Sequence, residues 1–471
     1  MDEITYLFND KMNEECGVFG VINVPNANEV MYYGLHALQH RGQEGAGIIS
    51  TDCDQFYSLK GQGLVSEVFN EENLKSLKGN TAIGHVRYST AGGSDVANIQ
   101  PFLFRHHTGD FGLCHNGNLV NSNELRRHLE INGSIFQSTS DTEVFAHLIK
   151  KDSQTNRLEA IKQALNQIEG AFAFLALSKS KLYIMRDKNS LRPLSLAKLN
   201  GGYVVSSETC AFELVGATYI RDIKPGEVLI INQKGKMISD FYAKKSYQNM
   251  CAMEYIYFSR PDSDIEGVNV HMSRKEAGRI LAKESPVDAD MILYVPDSST
   301  SAALGYAEAT NLPIEMGLIK NRYVGRTFIK PSQHMREKGV KMKLSPVPSL
   351  IKDQRIILVD DSIVRGTTSK KIIQLLRDAG AKEIHMRIAA PPITHPCFYG
   401  VDTSTYDELI SAKYSVQELK EEINADSLAF ISIKGILNAT KRTKLCTSCF
   451  TGNYPTYTYQ DITKANTNDK F

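Results

Sequence analysis

The sequence predicts a two-domain protein, an α+β first half built on mixed or antiparallel sheets and an α/β second half built on a parallel sheet. Three observations lead there. The chain has 471 residues, more than one compact core usually holds. Up to about residue 240, short apolar segments alternate with Gly-rich turns. Beyond residue 250 the order becomes apolar run, loop, helical pattern, apolar run, as in βαβ units.

The elements follow in chain order. Residues 17–24, 81–87, 111–114, 171–177 and 202–206 are short and apolar, and are expected to be strands. Two amphipathic stretches interrupt them. Residues 140–151 open with Ser140-Asp141-Thr142-Glu143, a helix-start signal, because a hydroxyl and an acid can serve the first unpaired N–H groups. Residues 157–167 have helical spacing, and the polar stretch 243–249 marks a boundary. In the second half, the apolar run 290–295 leads through Pro296-Asp297-Ser298-Ser299 into a helical pattern ending at Ala309. The run 355–359 leads through an acidic pair and a Gly/Thr/Ser loop into a helix over 369–379, which Gly380 caps. Residues 383–389 are strand-like again, and the polar tail after Phe450 is expected to be loose.

Composition excludes several function classes. The formal charge is +1, so there is no electrostatic footprint for nucleic acid or an anionic membrane. Hydrophobic residues at 42% and charged residues at 23% argue against disorder. The apolar run at 171–177 is far too short to span a bilayer. The first fifteen residues carry Asp2, Glu3, Asp10, Glu14 and Glu15 against Lys11, unlike a signal peptide, so a cytoplasmic location is expected. Eight cysteines over this length then act as thiols, nucleophiles or metal ligands rather than as a disulfide scaffold.

The most informative segment runs from Ile356 to Ser369. It is a strand ending in Asp360-Asp361, followed by Ser362-Ile363-Val364-Arg365-Gly366-Thr367-Thr368-Ser369 at a helix start. N–H groups and hydroxyls at a helix N-terminus bind phosphate. Acids at the carboxyl end of a strand cannot meet phosphate directly, but suit ribose hydroxyls or a Mg²⁺ that carries a pyrophosphate. The string resembles the phosphoribosyl diphosphate (PRPP) loop of type I phosphoribosyltransferases. That resemblance implies that Asp360 and Asp361 face the ribose and Mg²⁺. It implies that Ser362 belongs to the same PRPP-binding set, and that Arg365, Gly366, Thr367, Thr368 and Ser369 wrap the 5′-phosphate. It also implies that the loop around Ser298 holds the pyrophosphate side, with Ser298 near the metal.

Cys16 lies in Asn13-Glu14-Glu15-Cys16-Gly17-Val18-Phe19-Gly20. Alone, a Cys opening an apolar strand is a small buried hydrophobe. Four strings follow it: His40-Arg41-Gly42-Gln43-Glu44, Gly84-His85-Val86-Arg87-Tyr88-Ser89-Thr90, His115-Asn116-Gly117-Asn118 and Ser140-Asp141-Thr142-Glu143. In this order they resemble the class II glutamine amidotransferase domain, an N-terminal-nucleophile hydrolase with an αββα sandwich. The resemblance implies that the Cys16 thiolate attacks the glutamine amide and releases ammonia. The base is the α-amine of the same cysteine, whose reference pKa is about 7.7–8.0. An amide nitrogen is not basic, so residues 1–15 must be a propeptide that is removed. By the same resemblance the Asn116 side chain and Gly117 N–H form the oxyanion hole, Arg87 pairs with the substrate carboxylate and Asp141 with its α-amino group.

Cys446-Thr447-Ser448-Cys449, Cys251 and Cys397 supply four thiolates, enough for a Cys₄ site holding zinc or a [4Fe–4S] cluster. Spacing does not choose between them. Cys53, Cys114 and Cys210 are expected to be buried or partly buried thiols. Both motif sets in one chain resemble the glutamine-dependent PRPP amidotransferase family, from Cys16 to about Tyr454. Its propeptide-bearing branch carries a structural [4Fe–4S] cluster at such cysteines. The resemblance divides the chain into a propeptide (1–15), a glutaminase domain (16–245), a phosphoribosyltransferase domain (246–450) and a tail (451–471). It implies 5-phosphoribosylamine formation from PRPP, glutamine and water, the first committed step of purine synthesis, with ammonia channelled between sites. It further implies inhibition by purine nucleotides, a homotetramer, and a basic segment at 320–343 that closes over PRPP. The alternative is a non-catalytic, purine-responsive regulator of phosphoribosyltransferase fold. The near-neutral charge, the lack of a helix-turn-helix pattern and the intact Cys16 argue against it.

Overall fold

The structure is a computed structural model that describes residues 16–88, 96–107, 109–151, 156–321, 344–401, 403 and 405–457, with the backbone alone for Lys150 and Lys151. Residues 1–15, expected to be a propeptide, Ser89 and Thr90, nearly all of the basic segment and the end of the tail lie outside the described residues.

Strands of the first half, in chain order, are β1 (Gly17–Ile22), β2 (Gly45–Thr51), β3 (Phe56–Gln62), β4 (Thr81–Arg87), β5 (Phe102–Phe104) and β6 (Phe111–Leu119). They continue as β7 (Gly170–Leu177), β8 (Lys181–Arg186), β9 (Ser195–Leu199), β10 (Gly202–Ser206), β11 (Thr218–Asp222), β12 (Glu227–Asn232) and β13 (Met237–Phe241). One seven-stranded sheet has the order β11-β9-β10-β1-β4-β2-β3, and a six-stranded sheet has the order β13-β12-β8-β7-β6-β5. The sheets stack because their inner faces are apolar: Val18, Ile22, Ile83, Cys114, Leu175, Ile184 and Val205 fill the space between them.

Helices cover the two outer faces. Met31 and Leu35 of α1 (Ala27–Ala37) pack with Phe19 and Ile48 of the first sheet. The second sheet is covered by α2 (Ser122–Ile131), α3 (Asp141–Lys151) and α4 (Arg157–Gln167), whose Val144, Phe145 and Leu165 pack with Phe172 and Phe174. The result is the expected αββα sandwich. The strand expected at 111–114 runs on to Leu119 and carries Asn116, Gly117 and Asn118 into the sheet.

In the second half β14 (Met291–Tyr294), β15 (Arg355–Asp360), β16 (Glu383–Ile388) and β17 (Ser427–Phe430) form one parallel sheet in that order. Ile356, Ile357, Leu358 and Val359 are wholly buried, as a strand covered on both faces requires. Helices α5 (Val270–Glu284), α6 (Thr300–Thr310) and α7 (Thr367–Asp378) contribute Leu281, Ala303 and Ile373 to the same core.

Two expectations are corrected. The chain just after Phe450 is packed rather than loose: Tyr454 Oη donates to the Pro396 carbonyl at 2.8 Å, and Thr456 and Tyr399 share a hydrogen bond of 2.8 Å. The buried Tyr454 and Thr456 outweigh the polar composition there. Cys53 is exposed, because it sits in a turn held by the Asp52 carboxylate at the end of β2, whereas Cys114 and Cys210 are buried. Among the described residues no helix is long and apolar enough to cross a membrane.

Candidate active site

Pairing of β1 with β4 aligns Gly17 with Val86 and brings Cys16 beside the end of β4. The Tyr88 N–H donates to Cys16 Sγ at 3.5 Å, and Sγ lies 3.4 Å from the Tyr88 carbonyl. Cys16, Arg87, Gly117 and Asp141 meet on one cavity of about 370 Å³. Burial pushes the Cys16 thiol up to about 11, although the Tyr88 backbone and Arg87 pull the other way. The group is therefore a neutral thiol at neutral pH unless a base takes its proton.

Asn116 is fully buried and does not line the cavity. Its Nδ2 lies 3.4 Å from Ser207 Oγ, and its Oδ1 has no hydrogen-bond partner among the described residues. Gly117 needs to be glycine: its φ is 139°, and a Cβ would stand 2.0 Å from the Ala171 carbonyl oxygen. Asp141 opens α3 and accepts the Leu119 N–H at 2.9 Å, while His115 Nδ1 lies 3.5 Å from its other oxygen. Burial alone would raise the Asp141 carboxyl, but His115 and the N–H bonds hold it below its ordinary value. Expectation missed Asn98 and Gln100. They line the cavity, and Gln100 Oε1 holds the His115 N–H at 2.8 Å. Single amides carry no sequence signal of this kind.

Arg41 belongs to a recognised string, but its partners were not foreseen. Its Nε donates to the Cys16 carbonyl at 3.2 Å. Its other nitrogens donate to Glu208 at 2.6 Å and to Glu254 at 2.7 Å. Glu254 begins the second half, so a buried ion network joins the Cys16 backbone to that half.

There, β15 ends in Asp360 and both acids are buried. Ser298 Oγ donates to Asp361 Oδ2, Ser362 Oγ to Asp361 Oδ1 at 2.7 Å, and the Asp361 N–H to Asp360 Oδ1 at 2.9 Å. Ser298 and the acidic pair are thus together, as expected. Gly366 has φ 78° and turns the chain into α7, so Thr367, Thr368 and Ser369 form its first turn. The Arg365 guanidinium lies 3.3 Å from Glu408. A cavity of about 340 Å³ is lined by Ser298, Asp361 and Arg274, among others. Arg274 was not foreseen: burial pulls its guanidinium down to about 10, and its Nε donates to the Tyr255 carbonyl at 2.6 Å.

Cys251, Cys397, Cys446 and Cys449 line a third cavity, of about 390 Å³. None forms a disulfide. Burial pushes Cys397 up to about 11 and Cys449 well above its ordinary value. Among the described residues no three or more His, Cys, Asp or Glu side chains close around a point tightly enough for a single metal ion.

The chain is similar to known proteins over nearly its whole length. A model of the glutamine amidotransferase domain matches residues 85–213. An amidophosphoribosyltransferase of Bacillus subtilis (strain 168) is 55% identical over 457 residues, covering 96% of each chain. One of Staphylococcus aureus (strain Mu50) is 49% identical over 464 residues, covering 96% of this chain and 94% of that one. The solved glutamine PRPP amidotransferase of B. subtilis, complexed with ADP and GMP, superposes with a TM-score of 0.90 at 54% identity over 95% of this chain and 98% of its own. A structure described as the allosteric regulatory enzyme of purine biosynthesis gives 0.91 at 55% identity over 95% and 97%. By this identity over nearly its whole length, the chain belongs to the amidophosphoribosyltransferase family.

Proposed function

We propose that the chain converts glutamine, PRPP and water into 5-phosphoribosylamine, glutamate and diphosphate, the first committed step of purine synthesis, in the cytoplasm. The observation that carries this reading is the presence of a Cys16 cavity and an Asp360–Ser369 loop in one chain, joined by the buried Arg41–Glu254 contact. Relatives named as transferases favour catalysis over a purely regulatory role.

In the first half Cys16 Sγ attacks the glutamine amide carbon. The α-amine of Cys16 takes the thiol proton, which requires removal of residues 1–15. The Gly117 N–H and, once its Nδ2 turns from Ser207 towards Cys16, the Asn116 side chain stabilise the oxyanion, while Arg87 and Asp141 hold the α-carboxylate and α-amine. Ammonia leaves with a proton, and water then cleaves the thioester to glutamate. In the second half the ammonia nitrogen attacks ribose C1 and diphosphate departs. Asp360 and Asp361 hold the ribose hydroxyls. The first turn of α7, with Ser362, Arg365 and Gly366, holds the 5′-phosphate.

The residues present fit both expected cofactors. Two carboxylates and a hydroxyl suit Mg²⁺, which takes one or two protein carboxylates together with substrate phosphates. Ser298, Asp360 and Asp361 would hold it, and it would supply charge neutralisation for the leaving diphosphate. Four thiols around one cavity suit a [4Fe–4S] cluster held by Cys251, Cys397, Cys446 and Cys449. The cluster would supply a cross-link between distant segments rather than a reaction step. The relative's complex with ADP and GMP supports inhibition by purine nucleotides. The domain division at about residue 245 and a homotetramer complete the reading.

The decisive experiment measures diphosphate release with purified protein. Release is expected only when PRPP is present together with glutamine or ammonia. Release from PRPP that is indifferent to any nitrogen donor defeats the assignment.

A further inference from the structure

Four thiolates outweigh the positive charge of the core they would hold, and a buried net charge is costly unless an opposite charge stands beside it. One cation does. Arg192 is fully buried and lines the same cavity as Cys251, Cys397, Cys446 and Cys449. All four cysteines come from the second half of the chain. Arg192 comes from the first, just beyond β8, where Arg186 Nε donates to the Arg192 carbonyl at 2.8 Å. Its Nη2 donates to the carbonyl of Tyr399, two residues from Cys397. Its Nη1 lies 3.7 Å from Glu254, a carboxylate that Arg41 already holds at 2.7 Å. Gly400 leaves room for this placement: its φ is 111°, and a Cβ there would lie 3.0 Å from Arg192 Nη2.

We infer that Arg192 is the counter-charge of the metal-bound thiolates, so that the cysteine site is complete only when the two halves of the chain are docked. This rests on the cluster assignment made above. The competing role is packing: a long side chain that fills space and ties down the Tyr399 carbonyl. Charge separates the two. Second-sphere partners of metal ligands commonly change metal affinity by about 10–100-fold.

The test compares anaerobically purified wild type with Arg192→Met, which keeps volume without charge, and Arg192→Lys, which keeps charge without the guanidinium fork. Arg192→Gln, neutral but still able to donate to the Tyr399 carbonyl, stands in if the Met variant does not fold. The readouts are iron per chain and the rate at which visible absorbance bleaches in excess EDTA, with thermal unfolding as the check on fold. Arg192→Met and Arg192→Gln are expected to lose iron at least about tenfold faster than wild type, and Arg192→Lys to restore most of the retention. Bleaching of the neutral variants at the wild-type rate overturns the inference. So does equally fast loss from the Lys and Met variants, which assigns Arg192 to geometry instead of charge. Stoichiometric zinc without iron in the wild type overturns the cluster assignment itself and this inference with it, a result distinct from equal bleaching rates.

Discussion

Cys16 shows how one residue depends on chemistry outside its own side chain. Burial pushes its thiol up to about 11, so below that pH the nucleophile forms only as a base removes the proton. The α-amine accepts a proton only when itself neutral. Glutaminase activity of the processed enzyme is therefore expected to rise with pH through an ionisation near the α-amine value of about 7.7–8.0 and to level off above it. A rate–pH profile that keeps climbing towards the thiol value points to direct thiol ionisation instead. Cys16→Ala should abolish glutamine-dependent synthesis and spare ammonia-dependent synthesis; residual glutamine hydrolysis by that variant removes the nucleophile assignment. The role proposed for Cys16 rests on the four strings that stand behind it in order. That of Arg41 was not: its carboxylate partners lie 167 and 213 residues away, and no local pattern records such pairing.

At the scale of elements, each proposed site includes a glycine with positive φ, Gly117 within β6 and Gly366 at the start of α7. Gly117 lines the Cys16 cavity and packs against the neighbouring strand too closely for a side chain. In Gly117→Ala the new Cβ collides with the Ala171 carbonyl on the neighbouring strand, and β6 has to move. Loss of one oxyanion donor commonly costs about 10²–10³ in kcat, and a loss of that order in glutaminase turnover is expected with ammonia-dependent synthesis retained. Unchanged turnover puts the oxyanion elsewhere. The strand end of β15 makes the opposite separation. Asp360→Asn or Asp361→Asn should remove most PRPP-dependent synthesis and leave basal glutaminase activity intact, since those carboxylates stand at the end of β15 and do not line the Cys16 cavity; equal loss of both activities contradicts separate sites. Segments with a clean period, such as β4, β15 and α4, were readable from sequence. Helix α5 was not, because its buried face includes Ser273, Arg274 and Gly278 among the apolar residues, which blurs the helical stripe.

For the whole molecule, the question is what keeps the two sites in a fixed relation. Part of the answer is the buried ion network in which Arg41 binds Glu208 and Glu254, and Ser259 Oγ donates to Glu254 at 2.5 Å. Glu208 lies in the first half, whereas Ser259, Arg260 and Ser263 lie beyond residue 250. The Glu208 carboxylate accepts from the Arg260 N–H at 2.9 Å and from Ser263 Oγ at 2.7 Å. Burial alone would raise both carboxyls. His40 and Arg41 hold Glu208 far below its usual range, and Arg41 with Arg192 holds Glu254 below it. A carboxyl depressed in the folded state stabilises the fold above its unfolded value, and that contribution is lost only as pH falls through the depressed one. The clasp should therefore be fully in force at neutral pH and fail only under strong acid. Glu254→Gln leaves Arg41 and Arg192 buried with one carboxylate fewer. Breaking a buried ion pair from one side costs about 3–5 kcal/mol, so the variant should unfold at clearly lower denaturant than wild type at pH 7. That gap should narrow as pH falls far enough to protonate Glu254 in the wild type. Denaturant melts of both proteins across that pH range measure it. A variant as stable as wild type at pH 7 means that apolar contacts, not this network, hold the halves together.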